Sequence, residues 1–184
     1  MKLVIAGTGA SGALYLQRLL AQIDPAAHEV HLVLSGYARQ VIAEELGELA
    51  VPAGVQTHGD KSMNVPFASG SAQFDAMVVV PCSMGTLGRI ASGVSDSVIL
   101  RAADVFLKER RKLILVPREA PWNLIHARNV VTLLEAGAVI LPASPGFYAK
   151  PASIEALVDS LVARILDQIG LPAPTAFRWA ENLE

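Results

Sequence analysis

The residues best placed for chemistry follow a short apolar segment near the middle of the chain. Residues 77–80 are Met-Val-Val-Val, residues 81–87 are Pro-Cys-Ser-Met-Gly-Thr-Leu, and Arg101, Asp104 and Lys108 follow. Four apolar residues without helical alternation predict a central parallel strand covered on both faces. Polar and cationic groups just beyond such a strand are typical of the edge where α/β proteins bind phosphorylated ligands. We therefore expect a site at this edge.

The first turn of the chain, GTGASG at residues 7–12, matches the GxGxxG pattern between a predicted strand and a predicted helix. The backbone N–H groups around Gly9 and Ala10 and the Ser11 hydroxyl can face a phosphate or a flavin-like ligand. Many α/β domains use such a turn only for close packing, so the pattern leaves both readings open. A dinucleotide site needs an acidic residue after the second strand, where this chain has Ser35. Ser35 favours a mononucleotide over NAD.

Arg118 and Glu119 follow the apolar residues 113–116 and Pro117. A carboxylate beside cations near a phosphate can act as a general acid, whereas an ion pair that braces a loop is the alternative.

Arg101 and Lys108 lie seven residues apart on one predicted helix. Their spacing fits either a phosphate contact or a solvated, salt-bridged helix face.

Three further features carry two interpretations each. The segment Ser69-Gly70-Ser71 is either a phosphate nest or a plain turn. Tyr148 follows the last short strand, where its phenol either bonds a phosphate or closes the core. Arg164 flanks the apolar stripe of the last helix, where its guanidinium either emerges at a boundary or snorkels to water. Cys82 lacks a catalytic partner set, which favours a small buried side chain. The four histidines lack metal-ligand spacing, so we expect no metal.

Composition limits the classes of function. The chain has 184 residues, 52% hydrophobic and 17% charged, and a net charge of −2. This predicts one domain over residues 1–184, with residues 171–184 as a tail or lid, and it disfavours nucleic-acid binding. No apolar run is long enough for a membrane span, and one cysteine fits a cytoplasmic setting. The mean hydropathy of +0.42 suggests apolar surface buried in a homo-oligomer.

Strand and helix signals alternate along the whole chain, which predicts a single three-layer, Rossmann-like α/β domain with a mostly parallel sheet flanked by helices. Residues 50–74 show little periodicity and are expected to be irregular. The last helix is the clearest element, because its apolar residues recur every three or four positions over residues 154–169. Ser153 is expected to cap its start and Gly170 to end it. The remaining predicted strands cover residues 2–6, 29–34, 112–116 and 138–141, and the remaining helices cover residues 10–23, 38–46, 83–91, 96–110 and 124–136.

Taken together, these segments resemble the UbiX/Pad-type flavin prenyltransferases of the flavin-binding cysteine-decarboxylase-like fold group. The resemblance covers nearly the whole chain. It rests on GTGASG at residues 7–12, Ser35 with Glu45 ten residues later, ASGS at 68–71, PCSMGTLGRIASG at 81–93, RAADVFLKERR at 101–111, PREAPWNLIHARN at 117–129 and PASPGFY at 142–148.

The resemblance implies a transferase that joins a dimethylallyl group from dimethylallyl phosphate or pyrophosphate to N5 and C6 of reduced FMN. The product, prenylated FMN, would serve UbiD-type decarboxylases. The family also implies a large homo-oligomer, commonly a dodecamer, with sites at subunit interfaces. No metal is implied.

The family pattern also implies roles for individual residues. Glu119 would protonate the leaving phosphate, Glu45 would shuttle protons, and Ser11 would lie near flavin N5. The flavin-binding residues would be Gly9, Ala10, Ser11, Ser35, Ser83, Met84, Thr86 and Arg101. The prenyl-phosphate-binding residues would be Ser69, Gly70, Lys108, Arg118, Glu119, Tyr148 and Arg164, with Lys108 from an adjoining subunit and Trp179 shielding the cation.

Two other functions compete with this one. An FMN-dependent decarboxylase of the peptidyl-cysteine or pantothenoylcysteine type would be a lyase, but its Pro-x-Met-Asn motif is absent from the sequence. A non-catalytic FMN carrier would need no second phosphate pocket. The residues at positions 36, 37, 120 and 122, which are Gly36, Tyr37, Ala120 and Trp122, differ from those most common in the family, and these differences bear on substrate preference.

Overall fold

The computed structural model describes residues 1–173, and these residues are built around one six-stranded sheet in which every strand is parallel to its neighbours. The strands are β1 Lys2–Gly7, β2 Glu29–Leu34, β3 Gln56–Gly59, β4 Ala76–Cys82, β5 Lys112–Pro117 and β6 Val139–Ile140. The helices are α1 Ala13–Gln22, α2 Gly36–Glu45, α3 Met84–Ala91, α4 Val98–Lys108, α5 Leu124–Glu135 and α6 Ile154–Ile169, with a 3₁₀ turn at Pro66–Ala68.

The strand order is β3-β2-β1-β4-β5-β6. From β1 the chain first builds the sheet outward through β2 and β3, and then returns to place β4 on the other side of β1. The carboxyl ends of β1 and β4 therefore lead into connections that run in opposite directions. Ligand sites of open α/β sheets lie at such a switch point.

The sheet is covered on both faces, which explains its continuous apolar strands. All seven residues of β4 are buried, and they alternate between two cores because successive strand residues point to opposite faces. Val78 and Val80 pack with α1 and α6, whereas Met77 and Val79 pack with α3 and α4. Each fully buried aliphatic side chain of this kind contributes about 1.5–3 kcal/mol.

The prediction of a mostly parallel, three-layer α/β architecture is confirmed. The last helix has the predicted bounds, Ile154–Ile169; the Ser153 hydroxyl accepts a hydrogen bond from the Ala156 N–H at 3.1 Å, and Gly170 ends the helix at φ 80°. Three helix starts were predicted two or more residues from their observed positions. Helix α1 begins at Ala13 rather than residue 10 because Gly12, at φ 115°, breaks the helical path. Helix α2 begins at Gly36 rather than residue 38 because Ser35 is its cap, and α4 begins at Val98 rather than residue 96 because Ser97 is its cap.

The segment predicted to be irregular, residues 50–74, contains the short edge strand β3 and the 3₁₀ turn. The prediction missed β3 because its sequence, Gln-Thr-His-Gly, is short, mostly polar and largely exposed. Its strand form comes from pairing with β2, in which Leu32 lies opposite Thr57. Within residues 1–173, no helix combines the length and the apolar character needed to cross a bilayer.

Candidate active site

A cavity of about 410 Å³ opens at the switch point, beyond the carboxyl ends of β1, β2 and β4. Its walls come from the turn after β1 and from the starts of α2, α3 and α4. The lining residues include Thr8, Gly9, Ser35, Gly36, Asp60, Ser83, Thr86, Arg89 and Ser97. A volume of this size suits a mononucleotide-sized ligand.

Thr8 joins the two turns on either side of the switch point. Its hydroxyl donates to the Pro81 carbonyl at 2.8 Å and accepts from the Ser83 N–H at 2.7 Å, and the residue is buried. This side chain holds the turn after β1 against the start of α3. Thr8 was not predicted as a site residue, although a small polar residue inside an otherwise glycine-rich turn is a signal for such a bridge.

Glu45 occupies the amino terminus of α1. Its carboxylate accepts hydrogen bonds from the Gly12 N–H at 2.9 Å and the Ala13 N–H at 2.8 Å. Burial by itself would raise the pKa of Glu45, but hydrogen bonds from the Ser11 side chain and these two N–H groups, with the positive charge of Arg118, lower it overall. The helix terminus that would attract a phosphate in a dinucleotide-binding turn is therefore filled by the protein's own carboxylate.

The amino terminus of α4 is filled in a similar way. The Ile99 N–H donates to the Asp60 carboxylate at 3.1 Å, the Val98 N–H donates to the Asp60 carbonyl at 2.9 Å, and the Leu100 N–H donates to the Ser97 hydroxyl at 3.4 Å. The first turn of α4 thus has its N–H groups satisfied, and Ser97 is its cap.

The amino termini of α2 and α3 are different. Ser35 and Ser83 cap them by accepting from the N–H three residues later, at 3.0 Å and 3.3 Å. The first two N–H groups of each helix, at residues 36, 37, 84 and 85, have no hydrogen-bond partner within the described part of the chain. Gly36 and Tyr37 line the large cavity, and Ser83 and Thr86, which flank residues 84 and 85, line it as well, so these donors lie at or next to its wall.

Glycines leave room for a ligand at both open termini. A Cβ added to Gly36 or to Gly85 would meet no atom within 4 Å. A phosphate can therefore approach both backbones closely, with the helix dipoles favouring its negative charge. The residues present thus fit the phosphate of FMN.

Arg118 lies against the first turn. Its Nε donates to the Ser11 carbonyl at 3.1 Å. The Glu119 carboxylate accepts from the Ala120 N–H at 3.0 Å, and no salt bridge joins Arg118 to Glu119 within residues 1–173. The structure therefore brings Ser11, Glu45 and Arg118 together, and it does not use Arg118 and Glu119 as an ion pair bracing the loop.

Tyr148 and Arg164 meet at a second, smaller cavity of about 140 Å³ that also includes Gly146 and Ser160. Tyr148 is 75% exposed, and Arg164 Nη1 pairs with the Asp167 carboxylate at 3.0 Å. A phenol and a guanidinium at one opening suit an anionic group.

Ser69, Gly70 and Lys108 form a third group. A Cβ on Gly70 would lie 2.6 Å from Lys108 Nζ and would collide with the Glu109 carboxylate, to which Lys108 is paired. Arg111, which the sequence analysis missed, donates to the Gly70 carbonyl at 2.7 Å and the Ala72 carbonyl at 2.6 Å. Only the fold reveals this role, because residues 70 and 111 are far apart in sequence.

This third group lies at the opposite edge of the sheet from Ser11 and Arg118. The cluster of Gly70, Lys108 and Arg111 lies just before the first residues of β4 and β5, Ala76 and Lys112. Ser11 and Arg118 follow the last residues of β1 and β5. Because all strands are parallel, the two groups cannot belong to one site within one chain.

Three predicted positions remain to be placed. Arg101 donates to the Ala68 carbonyl at 3.0 Å and pairs with Asp104 at 3.0 Å, so it ties α4 to the 3₁₀ turn, outside the large cavity. Met84 is buried in the core beneath α3. Trp179 lies outside the described residues, among which no cluster of three or more His, Cys, Asp or Glu side chains is arranged to hold a metal ion.

An all-parallel sheet with an anion-binding cavity at its switch point defines the class, a Rossmann-like α/β protein that binds a phosphorylated nucleotide. The family model described as Flavoprotein matches residues 1–166. The flavin prenyltransferase UbiX of Pseudomonas aeruginosa is 45% identical over 199 aligned residues, which cover 98% of this chain and 95% of that protein. The chain therefore belongs to the Flavoprotein family and, within it, to the UbiX-type flavin prenyltransferases.

Two solved structures agree with this assignment. A crystal structure of AnUbiX (PadA1) in complex with FMN and dimethylallyl pyrophosphate superposes with a TM-score of 0.92 at 42% identity, covering 100% of this chain and 98% of that one. A dodecameric FMN-dependent UbiX-like decarboxylase from Escherichia coli O157:H7 superposes with a TM-score of 0.90 at 42% identity, covering 97% and 99%.

Proposed function

We propose that this chain is a flavin prenyltransferase that joins a dimethylallyl group, from dimethylallyl phosphate or pyrophosphate, to N5 and C6 of reduced FMN. The observation that carries the proposal is the 45% identity to a flavin prenyltransferase over 98% of the chain. The AnUbiX complex with FMN and dimethylallyl pyrophosphate supports the same pair of ligands.

The large cavity is the proposed flavin site. The open amino termini of α2 and α3, with Ser35, Ser83 and Thr86, receive the phosphate. The turn carrying Gly9, Ala10 and Ser11 lies beside the ring. When bound, reduced FMN supplies the electron-rich atoms to which the prenyl group is joined.

Ser11 and Glu45 form the proposed proton path. The lowered pKa of Glu45 keeps it ionised at neutral pH, and the Ser11 hydroxyl donates to it. Glu45 is therefore suited to accept a proton by way of Ser11 rather than to supply one.

The donor phosphate needs fixed positive charge and a dry pocket, because breaking an allylic C–O bond creates an anion and a carbocation together. The proposed phosphate ligands are Arg118, which follows β5, together with Tyr148 and Arg164 at the smaller cavity. Glu119 is the proposed proton donor to the leaving group. Trp179 is proposed to shield the cation, and Arg101, which lies outside the flavin cavity of its own chain, is proposed to contact a neighbouring subunit.

The remaining donor residues, Ser69, Gly70 and Lys108, are proposed to come from an adjoining subunit. Their place at the opposite sheet edge supports a shared site. The exposed side of α5, with Leu124, Ile125, Val131 and Leu134 more than half exposed, supports burial of apolar surface between subunits. We propose a homo-oligomer, a dodecamer like the E. coli relative.

The product, prenylated FMN, is proposed to serve a UbiD-type decarboxylase in the cytoplasm. The cytoplasmic setting is supported by the single, buried cysteine.

The test is incubation of the purified chain with reduced FMN and either dimethylallyl phosphate or dimethylallyl pyrophosphate under anaerobic conditions. Mass spectrometry of the released flavin is expected to find FMN enlarged by one dimethylallyl unit. Recovery of unaltered FMN with both donors would contradict the proposal.

A decarboxylase is the second candidate, because the E. coli relative is described as one. A cysteine-type decarboxylase would release carbon dioxide from a carboxy-terminal cysteine or pantothenoylcysteine substrate without a prenyl donor. Loss of carbon dioxide in that assay, with no prenylated flavin in the first, would favour the decarboxylase. Bound but unaltered flavin in both assays would favour an FMN carrier.

A further inference from the structure

Arg89 is the lone permanent cation among the described residues that line the large cavity. It lies in the last turn of α3, with an exposed side chain. Asp60 is the one carboxylate in the same lining, and it is already bonded at the amino terminus of α4. A phosphorylated ligand in this cavity therefore has a single guanidinium within it.

Arg89 lies on the same side of α3 as residues in the first turn of that helix. Gly85 and Thr86 lie four and three residues earlier, so all three share one helix face. Helical side chains lean toward the amino terminus, and Arg89 is five residues, about 7.5 Å along the axis, from the first residue of α3. Thr86 and Arg89 both line the large cavity, so the Arg89 side chain borders the same space as the Ser83-capped start of α3.

The present partner of Arg89 is Asp96, which lies in the loop between α3 and α4. The side chains of Arg89 and Asp96 are 51% and 61% exposed. Exposed ion pairs of this kind contribute little to the free energy of folding. A phosphate is a stronger partner for Arg89, because the planar guanidinium can bond two phosphate oxygens at once. Exchanging Asp96 for a phosphate costs little and gains a charge-assisted contact in a partly enclosed cavity.

We propose that Arg89 binds the phosphate of the flavin mononucleotide, leaving Asp96 when the ligand enters, and that this contact makes the site prefer FMN over riboflavin. The inference takes its ligand from the proposed function but needs no prenyl transfer. Loss of the proposed activity and loss of this preference are therefore separate outcomes.

The experiment measures dissociation constants for FMN and for riboflavin by quenching of flavin fluorescence at fixed ionic strength. Arg89→Gln is expected to weaken FMN binding about tenfold or more while riboflavin binding changes by less than about twofold. Arg39→Gln, which removes the same charge from the exposed side of α2 outside this cavity, is the matched control and is expected to change neither.

Asp96→Asn separates the phosphate contact from the ion pair. It breaks the pair but leaves the cation, so FMN binding is expected to be unchanged or tighter. FMN binding that weakens as much in Asp96→Asn as in Arg89→Gln would overturn the inference, since the pair would then act by holding the loop. An unchanged ratio of FMN to riboflavin affinity in Arg89→Gln would overturn it as well.

Arg89→Lys keeps the inference testable if the glutamine variant does not fold. A lysine retains the charge but cannot bond two oxygens in one plane. Its FMN affinity is expected to lie below that of the unmodified protein, with riboflavin unaffected. Equal losses for the two flavins would count against a phosphate contact.

Discussion

The carboxylate of Glu45 lies 2.9 Å from the backbone nitrogen of Gly12, at the amino terminus of α1. This contact prevents the glycine turn from binding an anion in the way that its sequence pattern predicts. The turn has the spacing of a dinucleotide-binding fingerprint, but its anion position is occupied from within the chain. A dinucleotide's pyrophosphate would meet the Glu45 carboxylate at this turn, which is consistent with the proposal that a mononucleotide phosphate binds at the neighbouring helices.

Removing this carboxylate is expected to destabilise the protein. Glu45→Ala should lower the free energy of unfolding by about 1 kcal/mol, which is the usual loss of stability when a helix cap is removed. Urea denaturation measures the change. Glu44→Ala, at the exposed neighbouring position, is the control and is expected to have a smaller effect.

The same contact predicts a dependence on pH. Because the folded pKa of Glu45 is lowered, its contribution is present above the ordinary glutamate pKa and is lost as the pH falls through the folded pKa. Stability of the unmodified protein should therefore fall faster on acidification than that of Glu45→Gln. Parallel curves for the two proteins would remove Glu45 from this role.

Glu119→Gln tests the proposed proton donor. The amide keeps the size of the side chain but cannot protonate the leaving phosphate, so prenyl transfer should slow by about a hundredfold or more. FMN affinity should stay within about twofold, because Glu119 lies outside the lining of the flavin cavity. Single-turnover kinetics gives the rate, Glu48→Gln serves as the control, and full turnover by Glu119→Gln would exclude the role.

The shared site can be tested by mixing subunits. Arg118→Ala and Lys108→Ala should each abolish most activity alone. In a co-expressed oligomer with two different tags, random assembly gives about a quarter of the sites both native residues, so activity should return to about that fraction. Purified mixed oligomers without recovered activity would mean that the two residues do not act in one site across subunits.

Val131→Asp tests the exposed side of α5. Val131 is 52% exposed in one chain, and a charge there should weaken an apolar subunit contact. Light scattering after gel filtration should find a smaller assembly. Asn64→Asp adds the same charge at an exposed loop position and should leave the mass unchanged; if both variants keep the full mass, this side of α5 is not an interface.

Cys82 is expected to be inert. Burial raises the pKa of its thiol to about 12, so almost no thiolate is present at neutral pH. Iodoacetamide should label the unfolded chain and leave the folded chain unmodified, as measured by mass spectrometry. Rapid labelling of the folded protein would reopen a cysteine-based function.

Structural features that depend on residues close together in sequence were predicted well. The apolar spacing of α6, its Ser153 cap and its Gly170 end all act within a few residues, and each was found as expected. The start of α1 was predicted wrongly because the path of the chain at Gly12 depends on the contact with Glu45, 33 residues later. β3 was missed for a related reason, since its strand form depends on pairing with β2.

The order and spacing of residues along the chain were enough to establish the alternating α/β class, the family and the helices with clear apolar stripes, because those signals are local. Only the tertiary structure decides which helix ends remain open to an anion. Glu45 and Asp60 reach the amino termini of α1 and α4 only after the sheet has brought distant segments together. The separation of Lys108 from Arg118 has the same origin. Parallel strands send every strand end to one edge and every strand start to the other, whatever their order in sequence.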